Sequence, residues 1–183
     1  VDPPGKLENQ SPPPSETAAK VCWHFIGHLQ RNKSARTVPL LSMLHSLDSE
    51  RLADQIAKDL DALSVGEGKS AVRLRALLEI NVTEDRSKTG LLPDDAVRVL
   101  DRFSQDAQWR SRIDLCGLMG MSSLLGNESQ THREFEALRS YRDTWQKQFG
   151  IAMPALSMGM SDDFEIGIAH GSTMVRIGSL LFR

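Results

Sequence analysis

From Val21 onward, short apolar runs alternate with longer stretches in which apolar residues recur every three or four positions. The short runs predict six strands, at Val21–Ile26, Met43–Leu47, Leu74–Val82, Ile113–Met119, Ala155–Met158 and Thr173–Ile177. The longer stretches predict helices with one apolar face each. This alternation predicts a parallel sheet with right-handed crossovers, either doubly wound or closed as a βα-barrel, and the pattern alone leaves both open.

Polar residues mark the ends of the predicted helices. Asp48 or Ser49 can cap the helix that follows the second strand. Thr131 with Glu134 has the spacing of a capping box and predicts the start of the helix that follows the fourth strand. Gly150 suits the end of that helix, because glycine adopts the left-handed backbone of a helix C-terminus.

The first twenty residues differ in composition from the rest of the chain. Five of the eight prolines lie within the first fourteen residues. Such a stretch cannot supply a core element, so residues 1–20 are expected to form a disordered tail or a long loop, with one domain over residues 21–183. The chain begins with Val instead of Met, which suggests an alternative start, a processed end or a fragment.

Composition excludes several classes of protein. The 183 residues are 40% hydrophobic and 25% charged, as in a soluble globular domain, and the formal charge of -2 argues against a nucleic-acid surface. No apolar run is long enough to cross a bilayer, so we expect a cytoplasmic protein with no membrane partner. Both cysteines, Cys22 and Cys116, lie in predicted strands and are expected to be buried and reduced.

Glycine-containing turns follow the last two predicted strands, where parallel βα architectures place their ligands. Gly159–Asp163 follows the fifth strand, and Gly178 with Ser179 follows the sixth. Free backbone N–H groups, together with the hydroxyls of Ser161 and Ser179, could bind an anion such as a phosphate. Taken alone, however, these residue types more often form ordinary turns and caps, and the carboxylates after Ser161 would repel an anion.

Two further polar features lie in or after apolar strands. Arg176 is a charged residue in an otherwise apolar strand, so its side chain needs a partner. That partner is either a ligand nitrogen or phosphate, or an acidic residue in an internal salt bridge. Asn81 ends the third strand, and the polar loop 87–90 follows it. These groups lie on the side of the sheet where a ligand would bind, although a solvated loop would have the same composition.

Cys22, His24 and His28 lie close together around the first strand. A zinc site or a thiol nucleophile is conceivable there. No second pair at ligand spacing exists, however, since His45 and Cys116 are isolated in the sequence. Nothing marks Cys22 as an activated thiolate. Hydrogen-bonded histidines, without a metal, are the preferred interpretation.

The motifs occur together in one order: His24–Gly27 with Leu29–Gln30 and Asn32–Lys33, Asn81 with Ser87–Gly90, Gly117–Met119, Leu156–Ser161 with Asp163–Glu165, and Gly171–Thr173 with Val175–Gly178. This order resembles the pyridoxal phosphate homeostasis proteins, whose fold is like the N-terminal barrel of alanine racemase. The resemblance runs from about Val21 to the end of the chain.

The resemblance implies a (β/α)8 TIM-type barrel that binds pyridoxal 5'-phosphate. Such a protein buffers the cofactor in the cytoplasm or delivers it to PLP-dependent apo-enzymes, without catalytic turnover of its own. Its binding residues would be Ser161, Gly178 and Ser179 at the phosphate, Arg176 at the pyridine nitrogen, and His24 and Asn81 along the pocket.

The chain also departs from the family pattern. Members hold the cofactor on a lysine of the first barrel strand, whereas only Lys6 and Lys20 precede the matching region here, and neither lies in such a strand. Six predicted strands are what remains of an eight-stranded barrel without its first two, which suggests a truncated gene model or a fragment whose natural product starts upstream. The alternatives are an amino-acid racemase-like enzyme of the same fold, and a degenerate barrel that binds a phosphorylated ligand non-covalently.

Overall fold

A computed structural model describes residues 21–64, 72–83, 85–124 and 126–182, so the predicted tail at residues 1–20 lies outside the described residues. Its six parallel strands lie in one sheet in the order in which they occur along the chain. They are β1 (His24–Phe25), β2 (Met43–Leu47), β3 (Leu74–Glu79), β4 (Ile113–Met119), β5 (Ala155–Met160) and β6 (Met174–Arg176). All six predicted strands are confirmed. The first, third and sixth are shorter than predicted, and the fifth is two residues longer.

The sheet is curled. The side chains of His45 on β2 and Ser157 on β5 meet at 2.9 Å, although two strands separate β2 from β5 in the sheet. A doubly wound sheet reverses its strand order at one point, whereas a barrel keeps the strands in sequence. The structure therefore decides between the two architectures that the pattern left open, in favour of an incomplete βα-barrel.

Helices cover the convex face of the sheet. They are α1 (Ser34–Thr37), α2 (Glu50–Leu63), α3 (Pro93–Gln105), α4 (Ala107–Arg112), α5 (Glu128–Phe149) and α6 (Phe164–Ala169), with short 3-10 segments at Arg31–Lys33, Val38–Leu40 and Ser179–Phe182. Ile56 of α2, Leu100 of α3 and Phe135 of α5 are fully buried against the sheet. The apolar faces predicted from the sequence thus form the main core.

Two of the three predicted helix boundaries are confirmed. Ser49 caps α2 by accepting a hydrogen bond from the backbone nitrogen of Leu52 at 3.3 Å, and Gly150 ends α5 with a φ of 64°. The capping box at Thr131 is wrong. α5 begins one turn earlier, because the side chain of Asn127 accepts from the backbone nitrogen of Gln130 and caps the helix there.

A smaller cluster fills the concave face of the sheet. Its buried members are Met43, Leu77, Cys116, Met119 and Ala155. The burial of Cys116 is confirmed. The prediction for Cys22 is wrong, because this residue precedes β1 and is exposed. β1 pairs with β2 and lies at the end of the described sheet, so one of its sides has no neighbouring strand to cover it.

Within the described ranges, no helix is long and apolar enough to cross a membrane.

Candidate functional site

Arg176, the last residue of β6, donates to three neutral oxygens. Its Nη1 lies 2.9 Å from the carbonyl oxygen of Ser157 and 2.7 Å from the Ser157 hydroxyl, and its Nη2 lies 3.0 Å from the carbonyl oxygen of Gly120. No ion pair involves Arg176 among the described residues. Burial lowers the pKa of Arg176, and the more distant carboxylates of Asp163 and Glu79 oppose this effect. Within the described ranges, Arg176 therefore does not form the internal salt bridge that the sequence left open.

Two histidines continue this arrangement across the concave face. The Ser157 hydroxyl lies 2.9 Å from Nδ1 of His45, and Nε2 of His45 lies 3.0 Å from Nδ1 of His24. His45 is only 2% exposed. Its pKa is lowered to about 4, mainly by burial and further by His24 and Arg176. His45 is therefore neutral at physiological pH.

The turns after β5 and β6 are joined through Ser161. Its hydroxyl oxygen accepts from the backbone nitrogen of Gly178 at 3.2 Å and from that of Leu180 at 3.3 Å. Two N–H groups thus converge on one acceptor. A side-chain Cβ built at Gly178 would meet nothing within 4 Å, so the turn is open on that side. Ser179, which lies between the two donors in sequence, is exposed and begins the last 3-10 segment.

Asp163, next to this turn, has its carboxylate occupied by other donors. Oδ1 accepts from the backbone nitrogen of Met160 at 2.6 Å, and Oδ2 accepts from the Ser122 hydroxyl at 2.5 Å. Both carboxylate oxygens therefore have a donor. Asp163 nevertheless lines the same cavity as Ser161, so its charge stays close to the turn.

A cleft of about 540 Å³ lies between β1 and β6, and we call it the β1–β6 cleft. His24, His45, Arg176 and Gly178 line it, together with apolar side chains such as Met174. The structure thus brings together three of the six predicted site residues, at His24, Arg176 and Gly178. Ser161 reaches this group through its bond to Gly178 and lines a neighbouring cavity of about 590 Å³.

Asn81 lies in a different cavity, of about 380 Å³, with Lys88 on its wall. The amide of Asn81 is engaged within its own loop. Its oxygen accepts from the backbone nitrogen and the hydroxyl of Thr83 at 3.0 and 2.8 Å, and its nitrogen donates to the carbonyl oxygen of Asp85 at 2.8 Å. Asn81 therefore shapes the loop that carries Lys88. Met160 lines both this cavity and the β1–β6 cleft.

The two histidines near β1, His24 and His28, have different hydrogen-bond partners. His24 contacts His45, whereas Nδ1 of His28 lies 2.8 Å from Oδ2 of Asp48. Across the part of the chain that is described, no three of the His, Cys, Asp and Glu side chains lie together as a metal site.

Sequence reasoning missed three residues of the concave face. The sequence analysis treats His45 as isolated, Ser157 as part of a motif without a role of its own, and Glu79 as a member of a strand. All three are polar residues inside predominantly apolar runs, at 2%, 0% and 3% exposure. A buried polar side chain needs a partner, so this pattern could have marked them.

Comparison with known families identifies this architecture. The model of the family described as "Alanine racemase, N-terminal domain" matches residues 22–183. The chain belongs to this family. The match covers all six strands and every predicted site residue.

Relatives within the alanine racemase N-terminal domain family include proteins named pyridoxal phosphate homeostasis protein. The one from Aquifex aeolicus is 37% identical over 87% of this chain and 65% of its own length, and the one from Homo sapiens is 34% identical over 89% and 58%. The chain thus spans less than two thirds of these relatives.

Solved structures agree with this membership. PipY of Synechococcus elongatus, solved with PLP bound, superposes with a TM-score of 0.76 at 29% identity, over 89% of this chain and 71% of PipY. Alanine racemase of Clostridium difficile superposes with a TM-score of 0.70 at 12% identity, over 90% of this chain and 40% of that one. At that identity the racemase shows the fold alone.

Proposed function

We propose that this chain carries the phosphate- and ring-nitrogen-binding part of a pyridoxal 5'-phosphate site, in a protein that buffers or delivers the cofactor without catalysing a reaction. The carrying observation is Arg176, a part-buried cation held by neutral oxygens at the wall of the β1–β6 cleft, next to the converging N–H groups of Gly178 and Leu180. The names of the relatives and the PLP-bound PipY support the proposal.

The residues present fit this cofactor. A phosphate oxygen can replace the Ser161 hydroxyl as the acceptor for the two N–H groups, with the Ser161 and Ser179 hydroxyls as further donors. The cleft walls are otherwise largely apolar, as a flat aromatic ring requires.

Pyridoxal phosphate supplies an aldehyde that condenses with amines and a ring that can withdraw electrons. Arg176 moderates the second property. A guanidinium donates a hydrogen bond and keeps its proton, so a ring nitrogen that faces Arg176 stays unprotonated and withdraws electrons weakly. This environment favours holding the cofactor over carbanion chemistry. Delivery to apo-enzymes and a cytoplasmic location stay predictions.

Equilibrium dialysis of the full 183-residue chain tests the proposal. We expect retention of pyridoxal phosphate, at least about tenfold weaker retention of pyridoxal, which lacks the phosphate, and competition by inorganic phosphate. Equal retention of pyridoxal, or no retention of pyridoxal phosphate, would contradict it.

Two assays separate the alternatives. Borohydride reduction followed by mass spectrometry detects attachment to a lysine, and cofactor that is retained but never attached favours the non-covalent phosphate-binding barrel. Racemisation of alanine at an ordinary enzymatic rate favours the racemase-like enzyme.

A pair of variants tests the assignment of Arg176. Arg176→Glu should weaken retention of pyridoxal phosphate at least about tenfold, because it replaces a donor cation by an anion. Arg110→Glu makes the same change of charge at an exposed position of α4 and should leave retention unchanged. Equal retention by both variants would remove Arg176 from the site.

A further inference from the structure

Four side chains from four strands form one unbroken series on the concave face: Arg176 on β6, Ser157 on β5, His45 on β2 and His24 on β1. Each contacts the next at 2.7, 2.9 and 3.0 Å. Ser157 and His45 are buried, at 0% and 2% exposure, so solvent cannot replace a missing partner there.

The direction of the hydrogen bonds follows from the hydrogens that each group carries. A guanidinium only donates, so the Ser157 oxygen accepts from Arg176. The Ser157 hydroxyl has one hydrogen of its own and, among the described residues, His45 is the remaining group within reach. That hydrogen is therefore donated to Nδ1 of His45.

Counting hydrogens in the same way determines the tautomers of both imidazole rings. A neutral His45 that accepts at Nδ1 carries its hydrogen on Nε2 and donates it to Nδ1 of His24. His24 then carries its hydrogen on Nε2, the nitrogen that does not contact His45. In the reverse direction Ser157 would accept from both neighbours, and its buried hydrogen would have no acceptor.

We propose that this series is a one-way hydrogen-bond relay in which His45 positions both walls of the β1–β6 cleft, orienting Arg176 through Ser157 and holding His24 as an Nε2–H donor. The cleft then presents donors from β1 and from β6. It selects a ligand that offers acceptors on both sides, such as a ring-nitrogen lone pair on one and a carboxylate, phosphate or phenolate oxygen on the other. The choice of pyridoxal phosphate as the probe below rests on the proposed function.

The relay itself is tested without any ligand. Nitrogen-15 NMR of the full chain, labelled at histidine and recorded at pH 7.5, distinguishes the two tautomers of each ring. We expect His24 and His45 both to carry hydrogen on Nε2 and a lone pair on Nδ1. Hydrogen on Nδ1 of His45 would overturn the relay, whether or not the chain binds pyridoxal phosphate.

Matched variants test the positioning role. In His45→Asn, the amide reaches the place of Nδ1 and can still accept from Ser157, whereas His45→Leu removes both contacts. We expect dialysis to show pyridoxal phosphate bound at least about tenfold more weakly by His45→Leu, and within about threefold of the parent by His45→Asn. A side chain that merely filled space would be replaced better by Leu than by Asn.

The outcomes remain distinguishable. If His45→Leu retains pyridoxal phosphate as the parent does, the positioning role fails while the proposed function stands. If the parent chain does not bind pyridoxal phosphate, the proposed function fails and the NMR result still decides the relay. Should His45→Leu not fold, as judged by circular dichroism, Ser157→Ala interrupts the series at its next member and should show the same loss.

Discussion

The hydroxyl oxygen of Ser161 lies 3.2 Å from the backbone nitrogen of Gly178, and this bond joins the turn after β5 to the turn after β6. Leu180 donates to the same oxygen. Two residues that are seventeen positions apart in the chain thus form one small donor site. Such a site depends on the parallel pairing of β5 with β6, which brings the carboxyl ends of both strands to the same edge.

Removal of this hydroxyl should affect anion binding more than stability. Ser161→Ala takes away one donor to a phosphate, so retention of pyridoxal phosphate should fall about three- to tenfold. Since the bonds are exposed, water replaces the lost acceptor, and the free energy of unfolding should change by less than about 1 kcal/mol. Dialysis and urea unfolding measure the two effects. Ser111→Ala, on the exposed face of α4, is the control and should change neither.

His45 should make stability depend on pH. Its folded pKa of about 4 lies below the ordinary value of 6.5, so the unfolded chain binds more protons between these values. The stabilisation that comes from keeping His45 neutral is fully present above about pH 6.5 and is lost as the pH falls toward 4. It amounts to about 3 kcal/mol in the free energy of unfolding.

Urea unfolding at pH 5 and pH 7.5 measures this dependence. His45→Gln cannot titrate, so its free energy of unfolding should rise less than that of the parent between the two pH values. The same rise in both chains would show that His45 does not cause it.

Glu79 on β3 should couple energetically to Thr89. Burial raises the pKa of Glu79, while the Thr89 hydroxyl, which donates to its carboxylate at 2.6 Å, lowers it. Because the pKa of Glu79 is raised in the folded chain, the unfolded chain loses this proton more readily than the folded one. The free energy of unfolding therefore falls as the pH rises above the ordinary pKa of a glutamate. At neutral pH the Thr89 bond offsets part of that loss.

A double-mutant cycle at pH 7.5 isolates this bond. Thr89→Val should lower the free energy of unfolding by about 1.5–3 kcal/mol in the parent chain, because the acceptor is charged. In the Glu79→Gln background the acceptor is neutral, and the same substitution should cost about 1 kcal/mol. Equal costs in both backgrounds would mean that the carboxylate is not ionised.

Arg102 clamps three helices on the outside of the sheet. From α3 it donates to Glu50 and Asp54 of α2 at 2.7 and 2.6 Å, and its guanidinium lies 4.2 Å from the ring centre of Trp109 on α4. Lysine keeps the charge but loses the planar fork and the stacking. Arg102→Lys should therefore lower the free energy of unfolding by about 1 kcal/mol.

Arg98→Lys is the matched control for this substitution. Arg98 is exposed, lies one turn earlier on α3 and, among the described residues, has an ion pair with Asp95 alone, so its replacement should cost less than about 0.5 kcal/mol in urea unfolding. Equal losses for both variants would contradict the clamp.

Hydrophobic periodicity predicted the strands and the helix faces well, because burial on one face is a local property of the sequence. The sequence pattern gave wrong predictions where burial or helix capping depends on neighbouring elements or residues. Cys22 has the sequence context of a strand, yet it is exposed because β1 lies at the end of the described sheet. Thr131 has the spacing of a cap, yet Asn127 is also a good cap and starts α5 one turn earlier. Two caps within one helical turn cannot be ranked by spacing alone.

The sequence by itself determined six βα units, the apolar faces that form the core, and the motifs that point to the residues of the β1–β6 cleft. Only the tertiary structure decided that the sheet curls, because curvature is a collective result of strand twist and register. The curl brings His45 to Ser157 across 112 positions of sequence. The hydrogen-bond partners of Arg176, and with them the polarity of the cleft, follow from that long-range contact and from no local pattern.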